Sequence, residues 1–86
     1  MVTPESVQAY IREKLDCVHL AVEGDGAHFQ AVIVSAMFAG KSRVQRHQFV
    51  YAALGDRMRE EIHALSMQTL TPAEWSQHAL NTADNS

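Results

Sequence analysis

Much of what large catalytic proteins are built on is scarce in this chain. Its 86 residues include one cysteine, two prolines, four glycines and one tryptophan. With Cys17 alone no internal disulfide can form, which suits a reducing cytoplasm, and that is where the protein is expected to work. No segment approaches the ~20 consecutive apolar residues that a membrane-spanning helix requires. Residues 1–10 carry no basic stretch leading into an apolar run, so neither export nor membrane attachment is expected. Basic residues are also few: seven Lys and Arg against ten Asp and Glu leave a net charge of −3, which argues against bulk electrostatic capture of nucleic acid. A local basic patch is still compatible with that balance. What remains, 47% hydrophobic and 20% charged residues, is the composition of a soluble globular domain. The length allows one modest core and one working surface, not a cofactor domain beside a substrate domain.

The pattern of apolar residues predicts the order of elements. Thr3 and Pro4 form a cap and first-turn pair, and Val7, Tyr10, Ile11 and Leu15 follow at helical spacing to about Asp16. From Cys17 to Glu23 the period drops to two, placing Val18, Leu20 and Val22 on one face of a strand and Cys17, His19 and Ala21 on the other. Gly24-Asp25-Gly26 supplies positive-φ residues for a reversal, and a second strand runs from Phe29 to Ser35. After a loop at Met37–Lys41, Ser42 caps a helix whose stripe is Val44, His47, Val50, Tyr51 and Leu54, and Gly55 stops it. Asp56–Ile62 adds a short helical segment. Ala64–Leu70 alternates as a third strand with Leu65 and Met67 on one face, and Thr71-Pro72-Ala73-Glu74 is a capping box opening a last helix.

The order is α-β-β-α-α-β-α. A helical connection of about 28 residues between strands two and three is a crossover, so strand three should lie parallel to strand two. An α+β domain over residues 1–80 is expected, with a three-stranded mixed sheet, helices packed on one face, and a polar, disordered tail over 81–86.

Few motifs carry chemistry. Ala39-Gly40-Lys41-Ser42 ends like a phosphate-binding loop, but the first glycine that loop needs is replaced by Ser35; a helix-capping turn explains the residues fully. No Ser-His-Asp or Cys-His arrangement is supported by spacing, so the chain is not expected to be an enzyme. Cys17 reads as an inert, half-buried thiol, and His47 as a packed, hydrogen-bonded histidine. His19 and His78 read as surface residues. Lys41, Arg43 and Arg46 form the one basic cluster and are the candidate nucleic-acid contacts. The element order is similar to the type II KH arrangement, yet its Gly-x-x-Gly clamp between helices two and three is missing.

His28, in the glycine-rich turn, and His63, before the third strand, are the candidate metal ligands, since imidazole is a common one. Two histidines do not fill a coordination shell, and the 34 residues between them show no metal-site signature, so further ligands would have to come from a partner. That points to a binding module. The turn entering strand two and the entry to strand three can share one edge of the sheet, because parallel strands begin at the same end.

The run Phe38-Ala39-Gly40-Lys41-Ser42-Arg43-Val44-Gln45-Arg46-His47-Gln48, then Val50-Tyr51-Ala52-Ala53-Leu54, Ile62-His63-Ala64-Leu65-Ser66-Met67 and Thr71-Pro72-Ala73-Glu74-Trp75, resembles the BolA family. The likeness covers most of Val2–Leu80, and the turn Gly24-Asp25-Gly26-Ala27-His28-Phe29 resembles the family's histidine-loop branch rather than its cysteine-loop branch. The resemblance implies a KH-like fold and a small adaptor that pairs with a cytosolic monothiol glutaredoxin to share a [2Fe-2S] cluster. It implies His63 and His28 as this chain's ligands, with the glutaredoxin's active-site cysteine and bound glutathione supplying thiolates. Its other implication is a DNA-binding regulator of stress and envelope genes, contacting DNA around Lys41–Arg46. A zinc-binding or purely structural interaction domain is a further, different alternative.

Overall fold

The computed structural model describes residues 2–62 and 64–84, and for residues 79–84 the helical backbone only. Helix α1 (Pro4–Lys14) starts where the sequence indicates: Thr3 Oγ1 accepts the Ser6 N–H at 3.1 Å, and Pro4 occupies the first turn, where its missing amide costs nothing. Its face of Val7, Ile11 and Leu15 is buried. Strands β1 (His19–Gly24) and β2 (His28–Val34) pair antiparallel, with Leu20 opposite Ile33 and Gly24 opposite Phe29. A short 3-10 turn (Ala36–Phe38) leads to helix α2 (Arg43–Leu54), the one-turn helix α3 (Arg57–Glu60), strand β3 (Ala64–Leu70) and helix α4 (Pro72–Asp84). The sheet order is β1-β2-β3, and β3 runs parallel to β2 with His28 opposite Ala64 and Val34 opposite Leu70. The α+β order and the mixed, crossover-connected sheet are those expected.

Register sorts the two faces of the sheet. Leu20–Ile33–Thr69, Val22–Ala31–Met67 and Gly24–Phe29–Leu65 form three cross-strand rows on one face. Against them lie Val7, Ile11 and Leu15 from α1 and Val50 and Leu54 from α2, closing the core around Phe29, Ile33 and Phe38, each 1% exposed or less. Full burial of each such side chain is worth about 1.5–3 kcal/mol. The opposite face carries His19–Val34–Leu70, Ala21–Val32–Gln68 and Glu23–Gln30–Ser66. Helix α4 reaches one corner of that face, where Trp75 stacks on His19. The helix continues to Asp84, into the stretch expected as a tail, and Asn85 and Ser86 lie outside the described residues.

Three local expectations are corrected. Strand β1 begins at His19, so Val18 does not join the buried row and is 65% exposed. In α2 the buried stripe is Val50 and Leu54 with Phe49 and Ala53 packed beside them, whereas Val44 and Tyr51 are 65% and 41% exposed. The helix is turned because Arg46, one turn before Val50, directs its guanidinium inward to partners on β3 and α4. In the β1–β2 turn, Gly26 alone has a positive φ, 101°. Gly24 is required for a different reason: a Cβ there would stand 2.5 Å from the His28 carbonyl oxygen and 2.6 Å from Phe29 Cδ1.

Candidate functional site

The turn that carries His28 is built by Asp25. Its Oδ1 accepts the N–H of Ala27 at 3.0 Å and of His28 at 2.9 Å, while the Asp25 N–H donates to the His28 carbonyl at 3.2 Å. These backbone donors, with His28 first, hold the Asp25 carboxyl below its usual range. His28 is thereby fixed as the first residue of β2 while its side chain stays exposed, and its ring makes no hydrogen bond among the described residues. It borders an open hollow of about 360 Å³ with Glu23, Gly24, Asp25 and Gln30. The register places it opposite Ala64, at the end of the sheet where β3 begins. His63 lies outside the described residues.

The donor set is a partial one. Among the described residues no three His, Cys, Asp or Glu side chains come together as a metal site. Cys17 is half-buried, its Sγ directed to the Leu15 carbonyl at 3.8 Å, and burial pushes the thiol up, away from the thiolate a metal needs. Among the described residues, one exposed imidazole held on a rigid turn is a single ligand and does not enclose a metal.

The three basic candidates sit at the entrance to α2, but they are not equivalent. Arg46 is drawn inward: Nε donates to the Lys41 carbonyl at 3.0 Å, Nη1 to the Thr69 carbonyl at 3.1 Å and to Glu74 Oε1 at 2.7 Å. Its side chain is 12% exposed, so it joins α2 to β3 and α4 before it is available to any ligand. Lys41 Nζ donates to the Met37 carbonyl at 2.8 Å and lies 5.5 Å from the Phe49 ring centroid. Arg43 is exposed and without a partner among the described residues. The three line a groove of about 620 Å³ with His47, Glu74 and residues 67–70 of β3. Glu74, which the sequence marks only as a capping residue, does cap α4, its Oε1 accepting the Thr71 N–H at 2.7 Å, and the Arg46 hydrogen bond, followed by that amide, holds its carboxyl below the ordinary value.

The family described as BolA-like protein matches residues 2–74. The chain belongs to that family. Acid stress protein IbaG of Escherichia coli strain K12 is 39% identical over 71 residues, spanning 81% of this chain and 84% of that protein. The DNA-binding transcriptional regulator BolA of Haemophilus influenzae is 43% identical over 58 residues, 67% of this chain and 56% of the regulator. Among solved structures, a bolA protein homologue from Coxiella burnetii superposes with a TM-score of 0.79 at 40% identity, covering 88% of this chain and 99% of the homologue.

The remaining histidines of this BolA-like protein fall elsewhere. His19 is half-buried under Trp75, ring centroids 4.5 Å apart and planes 16° from parallel, and His78 stacks on the same indole at 5.7 Å. The alternation of β1 shows which face His19 occupies; nothing in the local pattern signals the aromatic stack, because Trp75 is 56 positions away. His47 is packed, as expected, but its Nε2 is enclosed without a hydrogen-bond partner among the described residues, which corrects the expectation of a hydrogen-bonded ring. Among the described residues no helix is long and apolar enough to cross a membrane.

Proposed function

We propose that this BolA-like protein is an adaptor that holds a [2Fe-2S] cluster jointly with a monothiol glutaredoxin. In this reading His28 and His63 are its own ligands, and the partner's cysteine and glutathione supply the thiolates. The observation that carries it is the His28 turn: a family member presents an exposed imidazole from a turn rigidified by Asp25, at the sheet end where β3 begins, with no further ligand beside it among the described residues. Bound there, a cluster would supply one-electron chemistry, and imidazole in place of thiolate raises its potential. The chain's own contribution is to keep His28 oriented through its backbone and to leave the ring exposed for binding. Because a protonated imidazole cannot ligate, acid should loosen this end of the site, a property that accords with the acid-stress name of one relative.

The test is anaerobic reconstitution of the protein with a monothiol glutaredoxin and glutathione, followed by visible absorption and circular dichroism. The reading expects a mixed-ligand cluster spectrum that needs both proteins and is lost in His63→Ala and altered in His28→Cys. A full cluster on the isolated chain, or a spectrum indifferent to both substitutions, would overturn it.

A DNA-binding regulator is the second reading, favoured by the name of the Haemophilus influenzae relative and by the basic groove at Lys41 and Arg43. It is weaker because Arg46 is consumed by internal partners, leaving fewer phosphate contacts than the sequence offers. Duplex binding that persists at physiological salt and falls in Arg43→Ala, without any glutaredoxin pairing, would make it the better account.

A further inference from the structure

Strand β3 ends the sheet, and its free edge faces the basic groove. The Leu70 carbonyl accepts the Ser35 N–H at 3.0 Å and so points toward β2, whereas the Thr69 carbonyl accepts from Arg46 at 3.1 Å and so points away from it. Backbone groups alternate along a strand, and in a parallel ladder each residue directs its N–H and C=O to one side. Leu65, Met67 and Thr69 therefore turn both groups to the open edge. Of these, only the Thr69 carbonyl has a partner among the described residues. An unpaired edge of this kind is a template for another strand.

The groove beside that edge has a charge. Lys41, Arg43 and Arg46 line it against the single carboxylate of Glu74, which Arg46 already neutralises, so the wall is cationic on a chain whose net charge is −3. Arg43 has no internal partner to release. His47 lines the same groove, and its enclosed Nε2 is the one buried side-chain polar atom left unsatisfied among the described residues.

We propose that this groove takes an extended acidic peptide segment of a partner protein, which adds as a strand to the edge of β3 and sets its carboxylates against Arg43 and Lys41. Main-chain bonds to Leu65, Met67 and Thr69 give affinity without sequence, and the cationic wall selects acidic side chains. The cationic wall is separate from the His28 turn: it accompanies residues 67–70, and Thr69 lies about 16 Å along the strand from Ala64, the register partner of His28, so the inference does not rest on the cluster reading. A single-stranded nucleic acid would meet the charges but has no N–H and C=O rhythm to pair with the strand edge. The peptide is therefore the occupant the geometry favours.

The experiment uses the full chain, uniformly labelled with nitrogen-15, and four probes followed by amide shifts and hydrogen exchange. One is a capped peptide of the length of β3 that alternates glutamate with valine and threonine. The second is its glutamine counterpart, the third is the acidic peptide N-methylated at alternate residues, and the fourth is a single-stranded oligonucleotide of equal charge. We expect the acidic peptide to slow exchange at the amides of Leu65, Met67 and Thr69. The glutamine and N-methylated peptides should each bind at least about fivefold more weakly, and Arg43→Ala should cost the acidic peptide about threefold to tenfold. Arg43 is exposed and unpaired, so its removal leaves the fold intact, and the N-methylated probe tests strand addition with the protein unaltered. Equal binding of the N-methylated peptide, shifts confined to the His28 turn, no binding at millimolar peptide, or protection of the β3 edge by the oligonucleotide alone would each overturn the proposal.

Discussion

Replacing Arg46 with alanine is expected to destabilise the protein far more than removal of a surface charge would. Its guanidinium donates to two backbone carbonyls, those of Lys41 and Thr69, at 3.0 and 3.1 Å, and to the Glu74 carboxylate at 2.7 Å, with the side chain 12% exposed. A hydrogen bond contributes about 0.5–1.5 kcal/mol net, with charged donors at or above the top of that range. The ion pair itself must be discounted to about 0.5 kcal/mol, because solvent screens the half-exposed Glu74. Loss of the guanidinium from over the Phe38 ring, 6.0 Å from its centroid to the guanidinium carbon, adds to this. The sum is about 2–4 kcal/mol, against a typical total stability of about 5–15 kcal/mol. For a domain of this size each kcal/mol lowers the midpoint by about 4–8 °C, so a drop of about 10–30 °C is expected. Urea and thermal unfolding followed by far-ultraviolet circular dichroism measure it, and Arg46→Met, which keeps the stem, separates packing from polar contacts. A loss below about 0.5 kcal/mol in Arg46→Ala would show that the clamp is solvated and would refute this account. The outcome also governs any nucleic-acid experiment, since neutralising Arg46 together with Lys41 and Arg43 would confuse unfolding with lost contacts.

Glu74→Gln should keep the α4 cap but lose the ion pair. Because Arg46 and the Thr71 N–H hold the Glu74 carboxyl below its ordinary 4.5, the stabilisation is complete above that value and is lost as pH falls through the lowered one, so the variant should flatten the acid limb of the stability curve. Asp25→Asn should behave likewise in the turn: Asp25 is depressed below 3.8 by the His28 and Ala27 amides, and the acid-induced shift of those two amides in NMR spectra should vanish in the variant while the turn survives at neutral pH. Gly24→Ala should cost about 1–3 kcal/mol in urea unfolding, because its methyl meets the His28 carbonyl at 2.5 Å and backbone has to move. An unchanged midpoint would mean that the turn yields freely. In the glutaredoxin complex, His28→Cys should retain a cluster with a lower reduction potential by voltammetry, since thiolate adds negative charge; an unaltered potential would show that His28 does not touch iron.

Local rules made the fold legible wherever one residue type answers one backbone need. Thr3-Pro4, Ser42, Gly55 and Thr71 with Glu74 mark helix ends, and each does so in the structure through the expected bond or φ. The parallel pairing of β3 followed from the length of the helical crossover. The facing of α2 was not legible, because its apolar residues admit two stripes and the choice is made by Arg46, whose partners lie 23 and 28 positions downstream. Val18 is apolar and alternates correctly, yet it precedes the strand and remains outside. At the candidate site, His28 could be singled out by its turn, whereas the role of Asp25 required knowing where the backbone amides point. The inequality of Lys41, Arg43 and Arg46 is likewise tertiary: in sequence they are one basic cluster, and in space one is a clamp, one is partly engaged and one is open.

That inequality separates the two activities proposed here. Both sites draw on β3: the His28 turn meets the strand at Ala64, whereas the charges that select the peptide accompany residues 67–70. A rigid strand held by seven register pairs to β2 transmits little displacement between them unless the ladder itself opens. His28→Ala should therefore abolish cluster assembly and leave peptide binding at the β3 edge within about twofold, while Arg43→Ala should weaken the peptide about threefold to tenfold and leave cluster assembly within about twofold. If either substitution damaged both functions in a chain of unchanged stability, the sites would be one surface, and the cluster partner would itself be the protein that supplies the acidic strand.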